Sequence, residues 1–476
     1  MSSQRSKVDW SMVLGPVLSP AAGMPESELS ELDECVFQHA RRSIRPHLQS
    51  ARPLPFGTLS VPWFPAGQWL ADSDLRPGAL LQHAAGDYYV QDAGSFLALA
   101  LCDVRPGQTV VDTCASPGGK ATALLEMLCG QGALVANEVI ASRLAQLQIA
   151  LERTGLPNFV VSNEELENLA GPLGGQADLV LVDAPCSGQS MVAKGKQSLS
   201  SFAPVQIEHN SARQAKLLEQ AVKLVRPGGR LVYSTCTFSF AENEAIIAKL
   251  LEGSDAWLSV REPKLAQWES KDWPGCYRLW PHRDGCAGAF AAALQRRAST
   301  DAIDSDLAGS ASTKSRESLF EAVSSDALPA QCLDWGLSLE DLECEVFERP
   351  RAFRRGSKQY QLTELLGFPR QIPQHWLQFA YSGSRIAESS APLRSVKPPV
   401  WEPCFASAKL AGVESSSIEL TDAQSASYVA GESVRIMSAS KGWLPVSWEG
   451  RRLSWGKLVG GVLKNHFPKN LRQQVA

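Results

Sequence analysis

The chain has 476 residues, 44% apolar and 20% charged, with a net charge of −4. That balance excludes a disordered or collagenous chain and suits a globular protein of about three domains at ~150 residues each. No apolar run approaches the ~20 residues of a membrane span, and the apolar stretch near the N-terminus is too short for a secretory signal. An intracellular, cytoplasmic protein without a membrane partner is therefore expected. The 11 cysteines are scattered, with no CxxC pair and no Cys/His spacing suited to zinc, so neither a disulfide framework nor a metal site is expected.

Residues 1–85 open with an acidic segment predicted to be helical (Glu26, Glu28, Glu31, Asp33, Glu34). The sign then reverses: Arg41, Arg42, Arg45 and Arg52 stand between Val36 and Ser60 without an acid. A Pro- and Trp-rich piece follows, as expected of short strands in a small accessory region. Residues 86–297 alternate strand and helix. Thr109–Thr113 is a strand, and the small-residue loop Cys114–Lys120 leads into a helix through Met127. Further strands are Leu134–Ala136, Phe159–Val161, Leu179–Asp183 and Arg230–Thr235, with helices over Ser142–Arg153 and Ala212–Leu224. The second helix is expected to stop at Arg226–Gly229. Strands separated by helices of this length predict an α/β fold with a doubly wound, mostly parallel sheet. Residues 298–320, rich in Ser, Ala and Asp, read as a linker. Residues 321–395 form a middle domain in which Arg349, Arg351, Arg354, Arg355 and Lys358 interleave with Phe353 and Tyr360. After the Pro-rich hinge Val396–Pro403, the C-terminal domain (396–476) is predicted β-rich. It ends basic, with Arg451, Arg452, Lys457, Lys464, Lys469 and Arg472 against Glu449.

The chemistry gathers at strand ends. Leu179–Asp183 is an unbroken apolar run closed by a carboxylate, the pattern of a strand buried on both faces. Beyond it stand Pro185, Cys186 and Gly188. Ligands of open α/β sheets bind just beyond the carboxyl ends of the strands; otherwise Asp183 caps a helix and Cys186 is a small buried hydrophobe. The loop Cys114–Lys120 allows close backbone approach and opens a helix N-terminus, yet it is neither GxGxxG nor a Walker loop. Glu138, at the end of the next strand, stands where such folds place an acid on ribose hydroxyls. Together these residues suggest a nucleoside cofactor with no demanding phosphate. Cys236 ends the fifth predicted strand much as Cys186 follows the fourth. If the two strands are neighbours, both thiols enter one cleft. Two thiols and a carboxylate beside a nucleoside cofactor suit methylation of cytosine C5. There a thiolate must first add to C6 to make C5 nucleophilic, and it is expelled after methyl transfer.

The motifs CASPGGK (Cys114–Lys120), DAPCSG (Asp183–Gly188) and YSTCTFSFAENE (Tyr233–Glu244) resemble the NOL1/NOP2/Sun family of RNA 5-cytosine methyltransferases, and the likeness runs over about 85–297. It implies a Rossmann-like class I methyltransferase core using S-adenosyl-L-methionine. By the same resemblance Cys236 is the nucleophile, Cys186 helps release the product, and Asp183 faces both cofactor and base. Cys114, Ala115, Ser116, Pro117, Gly118, Gly119 and Lys120 hold the methionine part of the cofactor, Glu138 the ribose, and Glu165, or the adjacent Glu164, the adenine. Ser116 replaces the usual Ala, and Glu165 the usual Asp. The stretch Trp455–Leu471 is similar to the tail of bacterial small-subunit rRNA methyltransferases of the F type, which implies a C-terminal PUA-like RNA-binding domain. The expected partner is RNA, most simply 16S rRNA in the small ribosomal subunit, met by a monomer. The basic regions outside the core would supply phosphate contacts. Rival readings are a tRNA methyltransferase of the same chemistry, a ribosome-assembly factor that binds RNA without catalysis, and a small-molecule methyltransferase.

Overall fold

A computed structural model describes residues 8–18, 24–48, 50, 52–298, 320–323, 329, 335, 344–355, 358–369, 373–392, 401–410, 417–438 and 440–474. The linker expected over 298–320 therefore lies almost wholly outside the described residues, as does most of the Pro-rich hinge. In chain order the first sheet is small and antiparallel: β1 (Ser43–Pro46), β2 (Thr58–Val61), β3 (Phe64–Leu70) and β4 (Tyr88–Val90), arranged β2-β3-β1-β4. The expected boundary at residue 85 falls just before β4, whose Tyr88 pairs with Pro46 of β1.

The main sheet contains β5 (Thr109–Asp112), β6 (Ala133–Asn137), β7 (Phe159–Ser162), β8 (Ala177–Asp183), β9 (Val225–Thr235), β10 (Trp257–Ser259), β11 (Cys276–Leu279) and β12 (Ala289–Arg296). Strands β5 to β9 run parallel in the order β9-β8-β5-β6-β7, and β12 closes antiparallel on β9. The apolar run of β8 divides by residue parity. Leu179 and Leu181 join Val110, Leu134 and Val232 in one core, while Val180 and Val182 join Val111, Val135 and Leu231 in the other. Burial on both faces explains a strand with no polar alternation.

Two elements differ from their sequence reading. The helix expected from Ala212 begins at Pro204 and runs to Leu224; Pro suits a first helical turn, where its missing N–H costs nothing. Pairing of β9 begins at Val225, opposite Ala177, and resumes at Arg230 opposite Leu179. Arg226–Gly229 is thus not a stop before the strand but an irregularity inside it, with Gly228 at φ 72°.

The middle segment supplies β13 (Glu321–Ala322), β14 (Glu345–Arg355), β15 (Lys358–Phe368), β16 (Ala380–Ser382), β17 (Ser384–Pro392) and β18 (Trp401–Pro403). All but β16 form one antiparallel sheet, and β17–β18 pairing crosses the expected boundary at 395. Strand β16 instead adds to the outer side of β7 in the main sheet. The C-terminal sheet holds β19 (Ile418–Glu419), β20 (Val434–Arg435), β21 (Gly442–Trp448), β22 (Arg451–Val459) and β23 (Val462–Asn465). Among the described residues no helix is long and apolar enough to cross a membrane.

Candidate active site

The parallel register sets Asp183, the last residue of β8, opposite Ser234 of β9. Ser234 Oγ donates to Asp183 Oδ1 at 2.7 Å, and Lys120 Nζ lies 2.7 Å from Asp183 Oδ2. Lys120 comes from the second position of the helix Gly119–Met127, just past the loop that follows β5. Burial works against its charge, but the Asp183 and Asp112 carboxylates outweigh that and hold its pKa above the usual lysine value. Asp112 ends β5 and is 1% exposed. Burial first, and the charge of Asp183 second, push its carboxyl up to about 7.

The thiols meet. Cys186 Sγ and Cys236 Sγ stand 3.4 Å apart, both free. The hydrogen bond from Cys186 lowers the pKa of Cys236 against the opposing effects of burial and Asp183, with Lys120 and Ser190 assisting. Cys186 is raised by the same hydrogen bond, by burial and by the charge of Glu242. The shared hydrogen bond thus favours the proton on Cys186 and makes Cys236 the more acidic of the two thiols.

A buried polar network fixes this pairing. Glu242 accepts from Ser187 Oγ at 2.6 Å, Ser187 N at 2.9 Å and Gln214 Nε2 at 2.9 Å. Ser187 Oγ also lies 2.7 Å from Thr237 Oγ1, so the residue after each cysteine touches its counterpart. Thr235 Oγ1 donates to Asn243 Oδ1 at 2.6 Å, and Asn243 Nδ2 returns to Thr237 O at 3.0 Å. Among the described residues only Gln214 Oε1 of the groups named here lacks a partner, and a network so nearly satisfied rigidifies the pairing.

A cavity of about 700 Å³ opens over these groups, within the usual range for ligand sites. Of the sequence-derived residues, Cys114, Ala115, Ser116, Pro117, Gly119, Lys120, Asp183, Cys186 and Cys236 line it. Burial pushes the Cys114 thiol up to about 12. Gly118 does not line the cavity. It sits at φ 111°, and a Cβ there would come within 2.6 Å of Ala150, so this position lets the loop pack on the helix Leu144–Glu152. Glu138 is buried at the rim and outside the lining. Its Oε1 accepts from Ile140 N at 2.9 Å, and its Oε2 lies 3.0 Å from Arg143 Nη1. Glu164 accepts from Asn168 at 2.9 Å, and Glu165 is exposed at the start of the helix Leu166–Leu173; neither lines the cavity. Sequence reasoning missed Asp112, Gln91, Arg143 and Lys194, all of which line it. Asp112 had a signal, since VVD at the end of β5 repeats the VD ending of β8. Glu242 had been quoted inside a motif without a role.

The basic regions divide. Arg45 is 1% exposed and ion-paired with Glu126, and its Nη2 donates to Thr122 at 2.8 Å. Its reading as a phosphate contact is thereby corrected: a guanidinium taken out of water must be paired inside the fold. Arg349 is likewise buried against Glu364 at 2.8 Å. Arg42 and Arg52 donate to backbone carbonyls, and Arg451 pairs with Asp87 at 2.7 Å. Lys464 and Lys469 remain exposed. The side chains of Arg351, Phe353, Arg354, Arg355, Lys358 and Tyr360 lie outside the described residues.

Residues 99–295 match the family model of the 16S rRNA methyltransferase RsmB/F, and residues 415–473 that of the methyltransferase RsmF PUA domain. The chain is 29% identical over 434 residues to the ribosomal RNA small subunit methyltransferase F of Vibrio parahaemolyticus, covering 87% of this chain and 86% of that protein. It is 29% identical over 439 residues to the protein of the same name from Aeromonas salmonicida, covering 90% and 88%. Among solved structures, a methyltransferase homologue from Pyrococcus horikoshii superposes with a TM-score of 0.50 at 24% identity, over 58% of this chain and 92% of its own. NSun6 from the same organism, solved with an S-adenosylmethionine analogue, gives 0.51 at 18% identity over 58% and 95%. At these identities the two structures speak for the fold.

Proposed function

This chain belongs to the RsmB/F family of RNA methyltransferases, and from that premise we propose that it methylates cytosine C5 in small-subunit (16S) rRNA, using S-adenosyl-L-methionine and a covalent Cys236–C6 adduct. The observation that carries the chemistry is the thiol pair, 3.4 Å apart beside Asp183 and Lys120. The substrate assignment leans on the relatives' names and on the PUA match.

The residues present fit the cofactor. Gln91, in the cavity lining, has a buried Oε1 with no hydrogen-bond partner among the described residues, an acceptor suited to an ammonium donor. Asp112 and Asp183 give the same cavity the negative charge that a sulfonium requires. The Cys114–Lys120 loop would hold the methionine part, Glu138 the ribose and Glu165, or Glu164, the adenine side. When bound, the cofactor supplies an electrophilic methyl group.

The protein's own groups do the rest. The Cys236 thiolate adds to C6, forming the S–C6 bond and moving electron density to C5 and N3. Asp183, held by Lys120 and Ser234, faces N3 and in its protonated form supplies the hydrogen bond or proton that stabilises this density. After C5 gains its methyl group, the C5 proton must leave and the S–C6 bond must break, restoring the ring double bond. Cys186 suits that step for an electrostatic reason. The hydrogen bond that raises its pKa is shared with Cys236, and once Cys236 is a thioether that charge is gone. Cys186 can then release its own proton to solvent and, as a thiolate, take the proton from C5 while the Cys236 sulfur leaves C6 as a thiolate. All of these groups come from one chain, consistent with a monomer working where rRNA is made, in the cytoplasm.

The test supplies methyl-labelled cofactor and full-length protein to unmodified small subunits, naked 16S rRNA and tRNA. Labelled 5-methylcytosine in a small-subunit species is the expected result. Label confined to tRNA would overturn the substrate, and label at another atom would overturn the chemistry. RNA bound with no label anywhere would favour an assembly factor.

A further inference from the structure

The thiol end of the main cavity continues into a second cavity of about 210 Å³, and the two share Ser190, Lys194 and Ala287 in their walls. Its far wall is the N-terminal segment around Gln38, His39 and Arg41, all exposed. That wall is fixed to the core, because Arg41 N donates to Gly285 O at 3.1 Å. The near wall is fixed to the nucleophile: Ser190 N donates to Cys236 O at 3.2 Å. Among the described residues the lining of this groove holds no carboxylate, while it contains Arg41 and Lys194. Lys194 is tied only across the rim, to Asp92 at 3.2 Å. The Arg41 guanidinium lies over Trp69 and gives one N–H to Leu70 O at 3.2 Å; four of its five donors remain for an anion.

A different cavity adjoins the opposite end of the main one. It shares Tyr89, Val90, Pro117 and Gln146, which flank the Cys114–Lys120 loop rather than the thiols. The two halves of the main cavity thus open in different directions, one past the cofactor loop and one past Cys236.

We propose that the cavity between the N-terminal segment and the Ser190–Lys194 loop is the site of the nucleotide next to the target cytosine, with the linking phosphate held by Arg41 and Lys194. The proposal rests on the reading that the target base sits against Cys236. Such a base is joined through its phosphates to neighbours that must leave the cavity, and the opening beside the thiols is this cation-lined one. A positive, carboxylate-free groove is the electrostatic form of a backbone contact. An acidic protein segment would meet the same charge, but the wall shared with Cys236 favours the strand that carries the base.

The experiment measures binding of unmodified 16S rRNA to full-length Cys236→Ala protein as a function of salt, with Arg41→Ala, Lys194→Ala, Lys194→Arg or Lys264→Ala added. Each alanine at Arg41 or Lys194 is expected to weaken binding about tenfold and to reduce the salt slope by about one. Lys194→Arg should retain the wild-type slope, and Lys264→Ala, exposed and outside the groove, should change nothing. Cofactor affinity, measured on the same proteins, reports that they are folded. In the otherwise wild-type enzyme the alanine variants should raise KM for RNA more than they lower kcat. Unaltered slopes and KM in folded variants would overturn the groove. A wild type that labels no RNA would instead defeat the proposed function, so the two failures read differently.

Discussion

The carboxyl edge of the main sheet and the arginine-rich flanks carry comparable charge and use it in opposite ways. At the sheet edge, Asp112, Lys120, Asp183 and Cys236 press together around open space; burial raises Asp112, neighbouring carboxylates raise Lys120 against burial, and the hydrogen bond from Cys186 lowers Cys236. In the flanks, Arg45, Arg349 and Arg451 are closed onto Glu126, Glu364 and Asp87 inside the fold. Charges crowded around a cavity, even where paired as Lys120 is with Asp183, are available for chemistry, whereas pairs closed inside the fold hold its elements together.

Mutations at each end should separate the two roles. Cys236→Ala is expected to lower turnover more than about a thousandfold. Cys186→Ala removes the hydrogen bond that lowers the Cys236 pKa and should slow attack, yet trap a protein–RNA adduct that survives denaturation, visible as a shifted band on a denaturing gel. Equal, noncovalent inactivity of both would erase the division between the thiols. On the flank, Arg45→Ala removes the buried cation paired with Glu126, which keeps the N–H of Leu48, and should cost about 3–5 kcal/mol of stability in denaturant melts. It should leave the salt slope of RNA binding unchanged; a lower slope would make Arg45 a phosphate contact after all. A last variant tests the edge itself. The Asp112 carboxyl rises from 3.8 to about 7 in the folded protein, so the native state holds its proton more tightly than the unfolded chain. That stability is fully present below pH 3.8 and is lost as pH rises through about 7. Asp112→Asn should therefore stabilise the cofactor-free protein by up to about 4 kcal/mol at pH 8 and by little at pH 4, while weakening cofactor binding. Equal stabilisation at both pH values would mean that the carboxylate is not strained.

The same contrast explains what could be read from the sequence. The strand Leu179–Val182, the acid after it and the two cysteines were legible because each is a local pattern: apolar parity, then a polar residue at a strand end. That the cysteines meet also required β8 and β9 to be neighbours, which alternation of strand and helix suggests. The arginines were not legible. The partner of Arg45 stands 81 residues away, at Glu126, and a run of basic residues does not record which of them point inward. Glu242 was hidden for a similar reason, since its partners Ser187 and Gln214 lie in separate elements. The start of β9 at Val225 escaped because Pro and Gly ordinarily end an element, and here they interrupt one.

Strand β16 has a consequence for how this chain can be divided. By pairing with β7 it covers an edge of the main sheet, and Phe320, Phe347, Phe368, Trp376 and Phe379 of the same segment join the core beneath. A fragment ending at residue 298 would keep every catalytic group, yet it would bare a row of unpaired backbone groups beside a greasy face. Such edges recruit strands from other molecules, so the shortened enzyme should be complete in its chemistry and poor in its colloidal behaviour. The middle segment thus shields that edge as well as the face beneath it.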